Sequence, residues 1–356
     1  MLRLPGLIDP HVHMREPGAS HKEDWDTGTQ AALAGGFTMV LAMPNTAPPV
    51  IDEDSLAQAL DAAGRKARCD YAQYLGAGPQ NAAAAPALAG QAAGLKMYLD
   101  QTYGPLRLDE MTIWMEHFAR WPKEAPVVAH AEGRSIAAVI LMAQLFDRSV
   151  HIAHVARKEE ILLIRAAKEK GLKVTCEVGP HHLLLSEADF ATNGGRLSGG
   201  RAEVRPRLAS LEDQQALWDN LEFIDCFATD HAPHTAQEKD SATPPPGFPG
   251  LESALPLLLT AARHGKLTIE DILARCVVNP RAIFGLPEQP DTWIEVDENA
   301  EWNLSAQGMF SRSAWSPFDG WPVTGRVSRV VLRGQAAYAD GVILAQPGSG
   351  RNIRGK

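Results

Sequence analysis

The sequence predicts an α/β fold, a (β/α)8 TIM barrel with a small β-rich appendage formed by the C-terminal segment. Eight short apolar or β-branched runs alternate with segments of helical periodicity along most of the 356 residues, which is the order of elements in such a barrel. Polar side chains suited to chemistry follow seven of these runs. No G-x-G-x-x-G sequence follows the first run, so a closed barrel is favoured over an open doubly wound sheet.

The elements follow one another in regular order. The predicted strands share short runs of apolar and β-branched residues, at residues 7–13, 37–43, 71–76, 94–99, 126–130, 149–155, 173–178 and 223–229. The predicted helices share apolar positions three or four residues apart, at residues 26–34, 55–66, 86–92, 109–120, 134–146, 158–170, 211–221 and 251–262. Each strand is therefore followed by one helix.

Two loops and a change of composition interrupt this order. Residues 193–200 are glycine-rich and predict a mobile surface loop, whereas residues 243–250 are proline-rich and predict a stiff one. After Pro290 the chain changes to short alternating segments, which are typical of strands. We therefore expect a barrel domain over residues 1–290 and a small β-rich subdomain, packed on the barrel, over residues 291–356.

Composition and charge exclude several classes of function. A formal net charge of -9 argues against a nucleic-acid surface or an anionic membrane partner, although a local basic pocket for an acidic metabolite is compatible with it. The sequence shows neither an N-terminal signal segment nor a run of about 18 apolar residues. No C-x-x-C pair occurs among the cysteines, which predicts buried thiols in a reducing compartment and a cytoplasmic protein. The cysteines are Cys69, Cys176, Cys226 and Cys276.

The sequence His-Val-His over residues 11–13, at the end of the first predicted strand, is the strongest single indication of a metal site. Side chains two residues apart in a strand point to the same face, so both imidazoles can reach one ion. A lone His-x-His also arises by chance among surface and core histidines. The metal interpretation gains support because His130, His154 and Asp230 each follow another apolar run.

Seven polar residues share one position, at or just beyond the C-terminal end of a predicted strand. They are His13, Asn45, Lys96, His130, His154, Glu177 and Asp230. In a barrel these strand ends meet at one mouth, where barrel enzymes place their chemistry. With His11 included, the four imidazoles of His11, His13, His130 and His154 and the carboxylate of Asp230 exceed the three protein ligands of a mononuclear catalytic zinc site, so a pair of metal ions is expected.

Lys96 is the candidate bridge between two metal ions. Inside an apolar strand the lysine would be desolvated, and burial lowers the pKa of a lysine towards the neutral amine, which can add carbon dioxide. The resulting carbamate would be a bidentate oxygen ligand able to hold two ions. The alternative is that the side chain extends along the apolar surface and places its amine at the barrel rim.

Six segments form a series of motifs around the predicted site. They are LPGLIDPHVHMREPG at 4–18, AMPNT at 42–46, GLK at 94–96, HAE at 130–132, HIAH at 151–154 and ATDHAPH at 228–234. Together they resemble the motif series of dihydroorotases in the amidohydrolase superfamily, and the resemblance covers almost the whole chain. Two further segments, RKEEILLI at 157–164 and PPPGFPGLE at 244–252, resemble the dihydroorotase domain of the animal multifunctional pyrimidine-synthesis protein.

The resemblance implies a centre of two zinc ions. The implied ligands are His11, His13 and Asp230 for one ion, His130 and His154 for the other, and N6-carboxylysine at Lys96 as the bridge. Glu177 would serve an additional metal or support the other ligands. Ala153 stands where the animal domains carry a cysteine, which puts any metal that depends on this thiol in doubt.

The resemblance also implies the reaction, the reversible cyclisation of N-carbamoyl-L-aspartate to L-dihydroorotate in de novo pyrimidine biosynthesis. Two zinc ions would lower the pKa of a bridging water that attacks the ring carbonyl. Asp230 would take the proton of this water and pass it to the departing ring nitrogen, as general base and then general acid.

Arg15 is the candidate for holding the substrate carboxylate. It lies two residues beyond His13, hence on the same face of the strand and nearer the mouth, and its planar guanidinium matches a carboxylate. The alternative is a surface salt bridge with Glu16 or Asp24.

The resemblance adds further substrate contacts. Asn45 and His234 would complete the carboxylate pocket. Thr102 and Tyr103 lie in a segment that resembles the family's substrate-covering loop, where the animal domain usually carries Phe in place of Tyr103. Arg205 would approach the substrate or anchor the preceding loop.

The short N-terminal segment bears on the setting of the chain. Amidohydrolases that stand alone usually pass through a longer β-domain before the His-x-His strand, whereas only ten residues precede it here. We therefore expect a domain of a longer polypeptide, linked to carbamoyl-phosphate synthetase and aspartate transcarbamoylase domains. The barrel is expected to form a homodimer.

Two other functions stay open. A hydantoinase, dihydropyrimidinase or allantoinase would use the same metal centre on a different cyclic amide, but a neutral ring gives no reason for an arginine beside His-x-His or for the Pro44-Asn45 pair. A non-enzymatic scaffold would keep the barrel and lose the metals, whereas every expected ligand is present here. Hydrolysis of dihydroorotate and of dihydrouracil, together with a zinc determination, would separate the three.

Overall fold

The structure, a computed structural model, describes residues 1–190 and 197–355. Of the predicted mobile loop at 193–200, residues 193–196 lie outside the described residues, so that prediction stays untested there. A 3-10 turn, Gly199–Ala202, follows. No helix within the two described ranges is long and apolar enough to span a membrane.

The strands confirm the (β/α)8 barrel. In chain order the strands of the described chain are β1 (Leu2–Pro5), β2 (Leu7–Val12), β3 (Phe37–Ala42), β4 (Asp70–Gln73), β5 (Leu75–Gly76), β6 (Leu95–Tyr98), β7 (Val127–His130), β8 (Val150–Ile152), β9 (Val174–Val178), β10 (Cys226–Phe227), β11 (Trp293–Asn303), β12 (Pro322–Leu332), β13 (Gln335–Ala339) and β14 (Val342–Ile343). Strands β2 to β10 occupy the eight predicted positions, with the third position divided into β4 and β5.

Parallel pairing continues around the barrel. Strand β3 lies between β2 and β4, and β5 to β10 pair in sequence order. The two parts of the divided strand are separated by Tyr74, whose hydroxyl donates to the Pro10 carbonyl at 3.0 Å. The barrel closes where Val12 forms a parallel bridge with His231 and the His13 N–H donates to the His231 carbonyl at 2.8 Å.

Seven of the eight predicted helices are present, and the described residues form four further short helices. Together they are α1 (Trp25–Ala34), α2 (Glu53–Lys66), α3 (Met111–Arg120), α4 (Arg134–Leu145), α5 (Lys158–Glu169), α6 (Pro180–Leu184), α7 (Leu211–Asp219), α8 (Ala236–Lys239), α9 (Leu251–Arg263), α10 (Ile269–Leu273) and α11 (Asn279–Phe284). Helix α2 begins earlier than predicted because the Asp52 side chain caps it, accepting from the Ser55 N–H at 2.9 Å.

The predicted helix at residues 86–92 is wrong. This part of the chain contains only a 3-10 turn, Ala85–Leu88. The segment is rich in alanine, which makes helices locally favourable, but Leu88 is its only large apolar side chain and Gly90 interrupts it. Too little apolar surface is therefore available to hold a longer helix against the barrel.

The β-rich appendage is a five-stranded antiparallel sheet in the order β1-β11-β12-β13-β14. The N-terminal strand β1 pairs with β11, with Leu2 opposite Val296 and Pro5 opposite Trp293. The sheet packs through β12 on helix α9. The appendage therefore combines both ends of the chain, whereas the sequence indicated only the C-terminal segment. The domain boundary at residue 290 stays a prediction.

Buried apolar residues hold the strands and the outer helices together. The largest cluster joins strand residues such as Phe37 and Met97 to helix residues such as Trp25 and Ile161. All four cysteines are buried and free, as the sequence predicts. Several buried residues of the strands are nevertheless polar, and some of them, such as His11, Lys96 and Glu177, belong to the predicted site.

Candidate active site

A pocket opens at the mouth formed by the C-terminal ends of the barrel strands. Its empty volume is about 350 Å³, within the usual range for a small-molecule site. Ten of the thirteen predicted site residues line it: His11, His13, Arg15, Asn45, Thr102, Tyr103, His130, His154, Arg205 and Asp230. The other three, Lys96, Glu177 and His234, are fully buried behind these residues. The structure therefore brings the whole predicted set to one place.

His11, His13 and Asp230 form a cluster whose ligand atoms all lie within 4.8 Å of one another. The Nε2 atoms of His11 and His13 are 3.2 and 3.1 Å from the same Asp230 oxygen. Burial raises the pKa of Asp230, but the two imidazoles outweigh this effect and hold that pKa well below its usual range. Burial also lowers the pKa of His13 to about 4. An ionised carboxylate and a neutral imidazole are the forms that bind metal ions.

Hydrogen bonds on the far side of both imidazoles aim them at this cluster. Nδ1 of His11 bonds to a carboxylate oxygen of Glu177, and Nδ1 of His13 lies 2.8 Å from the amide oxygen of Asn45. Because both oxygens accept, each Nδ1 carries the proton and each Nε2 keeps a free lone pair for a metal. Glu177 also accepts from Nε2 of His151 at 3.1 Å, which fixes the carboxylate.

His130 and His154 form the second half of the candidate metal centre. Nδ1 of His130 lies 2.8 Å from Nε2 of His154, and the ring of His154 is 5.3 Å from that of His11 between centroids. Burial lowers the pKa of both imidazoles. The buried Nδ1 of His154 has no hydrogen-bond partner in the part of the chain that the structure describes. A buried polar atom without a partner indicates a missing ligand or ion.

Lys96 is a second residue with a buried nitrogen that lacks a hydrogen-bond partner in the described chain. Its residue is 0% exposed, and Nζ has no hydrogen-bond partner among the described residues. Burial lowers the pKa of the amine to about 8, although Glu177 and Asp230 act in the opposite direction. The alternative with an amine at the barrel rim is therefore wrong. The unpartnered nitrogen atoms, together with the imidazole and carboxylate donors, fit a metal centre.

Three residues of the pocket have an uncommon backbone conformation. Arg15, His154 and Asp230 have φ angles of 58°, 35° and 46°, in the left-handed region that favours glycine. Such conformations cost about 1–3 kcal/mol each and are concentrated at functional sites. Here each of them turns a side chain into the mouth directly after a strand.

Arg15 is buried and directed into the pocket. Its Nε donates to the Pro233 carbonyl at 3.0 Å, and one of its terminal nitrogens lies 3.0 Å from Nε2 of His234. The alternative ion pairs are wrong, because Glu16 and Asp24 pair with Lys66 instead. Within the described part of the chain, no carboxylate lies at ion-pair distance from Arg15. A buried cation without a counter-ion suits an anionic ligand.

The segment carrying Thr102 and Tyr103 covers one side of the pocket. The Tyr103 carbonyl accepts from the Asn45 amide at 2.9 Å, and its ring packs edge-on against His234 with centroids 5.1 Å apart. Asn45 therefore uses both ends of its amide within the protein, and its contact with substrate stays a prediction. Arg205 lines the pocket and also donates to Glu203 at 3.1 Å, so it is anchored within reach of a ligand.

Sequence reasoning missed three residues of this region. Tyr98 lines the pocket, and Lys22 and Lys239 are buried behind the residues that line this pocket. The two lysines lie in polar segments that are typical of a solvated surface, and their partners are remote in sequence. Tyr98 was the only one with a signal, since it stands two residues after Lys96 on the same strand face.

Comparison with known proteins identifies relatives of the chain. A family model described as dihydro-orotase-like matches residues 1–76. The multifunctional protein CAD of Squalus acanthias is 56% identical over 354 residues, and the multifunctional protein pyr1-3 of Dictyostelium discoideum is 53% identical over 357 residues. These matches cover 99% and 100% of this chain but 16% of each relative. The dihydroorotase of Pyrococcus furiosus is 34% identical over 372 residues, covering 99% of this chain and 85% of the relative.

Solved structures share the architecture. The L-hydantoinase of Arthrobacter aurescens has a TM-score of 0.91 at 24% identity, covering 99% of this chain and 88% of that one, which shows the fold alone. An inactive dihydroorotase-like domain of a CAD-like multifunctional protein from Chaetomium thermophilum has a TM-score of 0.84 at 31% identity and covers 99% of both chains. The latter shows that the same barrel also occurs without activity.

Proposed function

The chain belongs to the dihydroorotase family, and we propose that it catalyses the reversible, zinc-dependent cyclisation of N-carbamoyl-L-aspartate to L-dihydroorotate. One observation carries the proposal. A cluster of metal-ligand side chains lies in the same pocket as a buried arginine that has no carboxylate partner among the described residues. A cyclic amide that bears a carboxylate would engage both features at once.

We propose two zinc ions at this centre. His11, His13 and Asp230 would hold one ion and His130 and His154 the other, with Lys96 as a bridging N6-carboxylysine. The unpartnered, buried Nζ of Lys96 supports the carbamate, because its lowered pKa favours the nucleophilic neutral amine. When bound, zinc would activate water and polarise the ring carbonyl. Glu177 would hold His11 in position rather than bind an additional metal, since its two oxygens contact His11 and His151.

Asp230 is the proposed general base and acid. It is ionised and buried, and one of its oxygens faces both His11 and His13. In hydrolysis it would take a proton from the attacking water and deliver that proton to the ring nitrogen as the C–N bond breaks. In the direction of ring closure it would take the proton from the amide nitrogen and transfer it to the departing oxygen.

Arg15 and His234 are proposed to bind the substrate carboxylate. Both are buried, and a terminal nitrogen of Arg15, which lines the pocket, lies 3.0 Å from Nε2 of His234 behind it. Thr102, Tyr103 and Arg205 would enclose the bound substrate and exclude water. Asn45 would act through its bonds to His13 and to the Tyr103 carbonyl, joining the metal centre to the covering segment.

We also propose a biological setting. The relatives from Squalus acanthias and Dictyostelium discoideum are multifunctional proteins of which the chain matches 16%, which supports linkage to carbamoyl-phosphate synthetase and aspartate transcarbamoylase domains. A homodimeric barrel and a cytoplasmic location complete the proposal.

A substrate comparison with a metal determination tests this function. The zinc-loaded protein is expected to hydrolyse dihydroorotate and to cyclise carbamoyl aspartate, with two zinc ions per chain, and to leave dihydrouracil almost untouched because that ring offers no carboxylate to Arg15. Preference for dihydrouracil would make it a hydantoinase. No turnover of either substrate and no bound zinc would make it an inactive scaffold like its Chaetomium relative.

A further inference from the structure

Lys22 is a buried residue beside the pocket to which the proposed mechanism gives no role. The residue is 5% exposed, and its Nζ lies 3.1 Å from Nδ1 of His234 and 3.3 Å from the Tyr103 hydroxyl. A carboxylate oxygen of Glu238 lies 2.9 Å from the same nitrogen. Both Arg15 and Lys22 also lie near the Tyr103 ring, 5.3 and 5.1 Å from its centroid.

The two ring nitrogens of His234 face two donors, Lys22 and Arg15, and one acceptor, the Pro246 carbonyl. Nδ1 faces Lys22, whereas Nε2 lies 3.0 Å from the Pro246 carbonyl and 3.0 Å from a terminal nitrogen of Arg15. Burial, followed by the charges of Arg15 and Lys22, holds the pKa of this imidazole well below its usual range. A neutral imidazole carries only one N–H, so one of its nitrogens must accept.

The contacts decide which nitrogen accepts. An ammonium has three donors and no acceptor, so Nδ1 of His234 must accept from Lys22 and the proton must lie on Nε2. Nε2–H then donates to the Pro246 carbonyl. Arg15 is also only a donor, so it makes no hydrogen bond to Nε2–H. A bound carboxylate would therefore share Nε2–H with the Pro246 carbonyl and also accept from Arg15, whose terminal nitrogen lies 3.0 Å from Nε2.

We propose that Lys22 is a positioning residue that holds His234 in the Nε2–H tautomer, so that this N–H and Arg15 donate together to the substrate carboxylate. The inference rests on the proposed function for the identity of that carboxylate. The opposite tautomer would direct an N–H at Lys22 and allow Arg15 to donate to Nε2. His234 would then have no donor for the substrate.

The tautomer is measured directly by NMR on the zinc-loaded protein labelled with 15N-histidine, with the His234 signals assigned through His234→Asn. We expect protonated Nε2 and unprotonated Nδ1 in the native protein, the loss of this preference in Lys22→Met, and its retention in Lys22→Arg, which still donates. Lys66→Met is the control, because Lys66 is likewise a lysine paired with acidic side chains, those of Glu16 and Asp24. A native Nδ1–H tautomer, or an unchanged spectrum in Lys22→Met, would overturn the inference.

Kinetics supply the functional readout. Lys22→Met is expected to raise the KM for both substrates about tenfold, the loss of one good hydrogen bond, with a much smaller change in kcat and unchanged zinc content. In a His234→Asn background the same substitution should have little further effect. A lower melting temperature with unchanged KM would indicate a structural role and overturn the inference. A native protein without dihydroorotase activity would refute the proposed function, while the tautomer could still be read.

Discussion

Two fully buried lysines, one at the centre of the barrel and one at its rim, have opposite surroundings. Lys96 and Lys239 are both 0% exposed, and burial lowers their pKa values to about 8 and about 7. The Lys96 amine has no hydrogen-bond partner in the described chain. The Lys239 amine donates to three backbone carbonyls, those of Glu203, Pro245 and Gly247, at 2.6, 2.9 and 3.2 Å.

The difference shows what burial of a charge indicates. Three carbonyls use all three protons of an ammonium, so Lys239 is explained by the protein alone and joins the loop before Arg205 to the proline-rich loop at 243–250. Lys96 is not explained by the protein alone, which makes chemistry at its nitrogen the better account. We therefore expect substitutions at the metal centre to cost bound metal and activity. Substitutions at the rim should lower the stability of the protein and its affinity for substrate.

Lys96→Ala is expected to have the largest effect. Activity should fall about 10⁴-fold or more, because the bridge and at least one zinc ion are lost and water activation depends on the metals. The free energy of unfolding of the metal-free protein should change little, since no hydrogen bond is broken. Activity assays, zinc content by mass spectrometry and urea unfolding would check this. Activity near that of the native protein with two metals per chain would refute the dinuclear centre.

Asp230→Asn tests the centre without removing the bridge. Both reaction directions should fall by about 10²–10⁴-fold, the usual contribution of a general base. In the native protein ring closure turns a dianion into a monoanion and consumes a proton, so its equilibrium should shift about tenfold per pH unit. The ratio of the hydrolysis rate to the synthesis rate should therefore rise with pH.

Rates in both directions across about pH 5 to 9 give the measurement, in a range set by the nearly neutral pKa of zinc-bound water. Asp147→Asn, at an exposed ion pair with Lys123 and Lys173, is the control. An Asp230→Asn variant that keeps near-native rates in both directions would leave Asp230 only a metal ligand.

Arg15→Lys is expected to have an effect smaller than that of the changes at the metal centre and larger than that of the change at the rim. The change keeps the positive charge but removes the planar pair of donors, so kcat/KM for both substrates should fall about 10–100-fold, mostly through KM. Zinc content should stay the same because no expected ligand is touched. Steady-state kinetics with both substrates would check this. Unchanged kinetic constants would show that the carboxylate is held elsewhere.

Lys239→Met should have the smallest effect on catalysis and the clearest effect on stability. Three carbonyls would lose their donor, so the free energy of unfolding should fall by about 3 kcal/mol. Zinc content should be retained, and KM should rise a few-fold because Pro246 and Gly247 line the pocket. Lys123→Met, which removes an exposed lysine, is the control. Loss of zinc from Lys239→Met would remove the contrast between the two lysines.

The main departures from the predicted elements have local and long-range causes. Residues 86–92 have the composition of a helix but too little apolar surface to dock one. Strand β1 carries no signal of its partner, since Leu2 pairs with Val296 at the other end of the chain. Local periodicity predicts that a segment forms a helix or a strand. It does not predict which distant segment that strand pairs with, because the partner is remote in sequence.

The sequence alone determined the barrel and the convergence of the site. Strand periodicity and the position of polar residues at strand ends are local properties, and in a closed barrel those ends must meet, so His11, Lys96 and Asp230 could be brought together without coordinates. Only the tertiary structure decided which atoms face one another. Lys22 reaches His234 across 212 residues, and Asn45 reaches His13 across a strand connection. The directions of the side chains are fixed only when the barrel closes. These directions set the hydrogen-bond partners, and therefore decide which histidine tautomer forms and which charges have a partner.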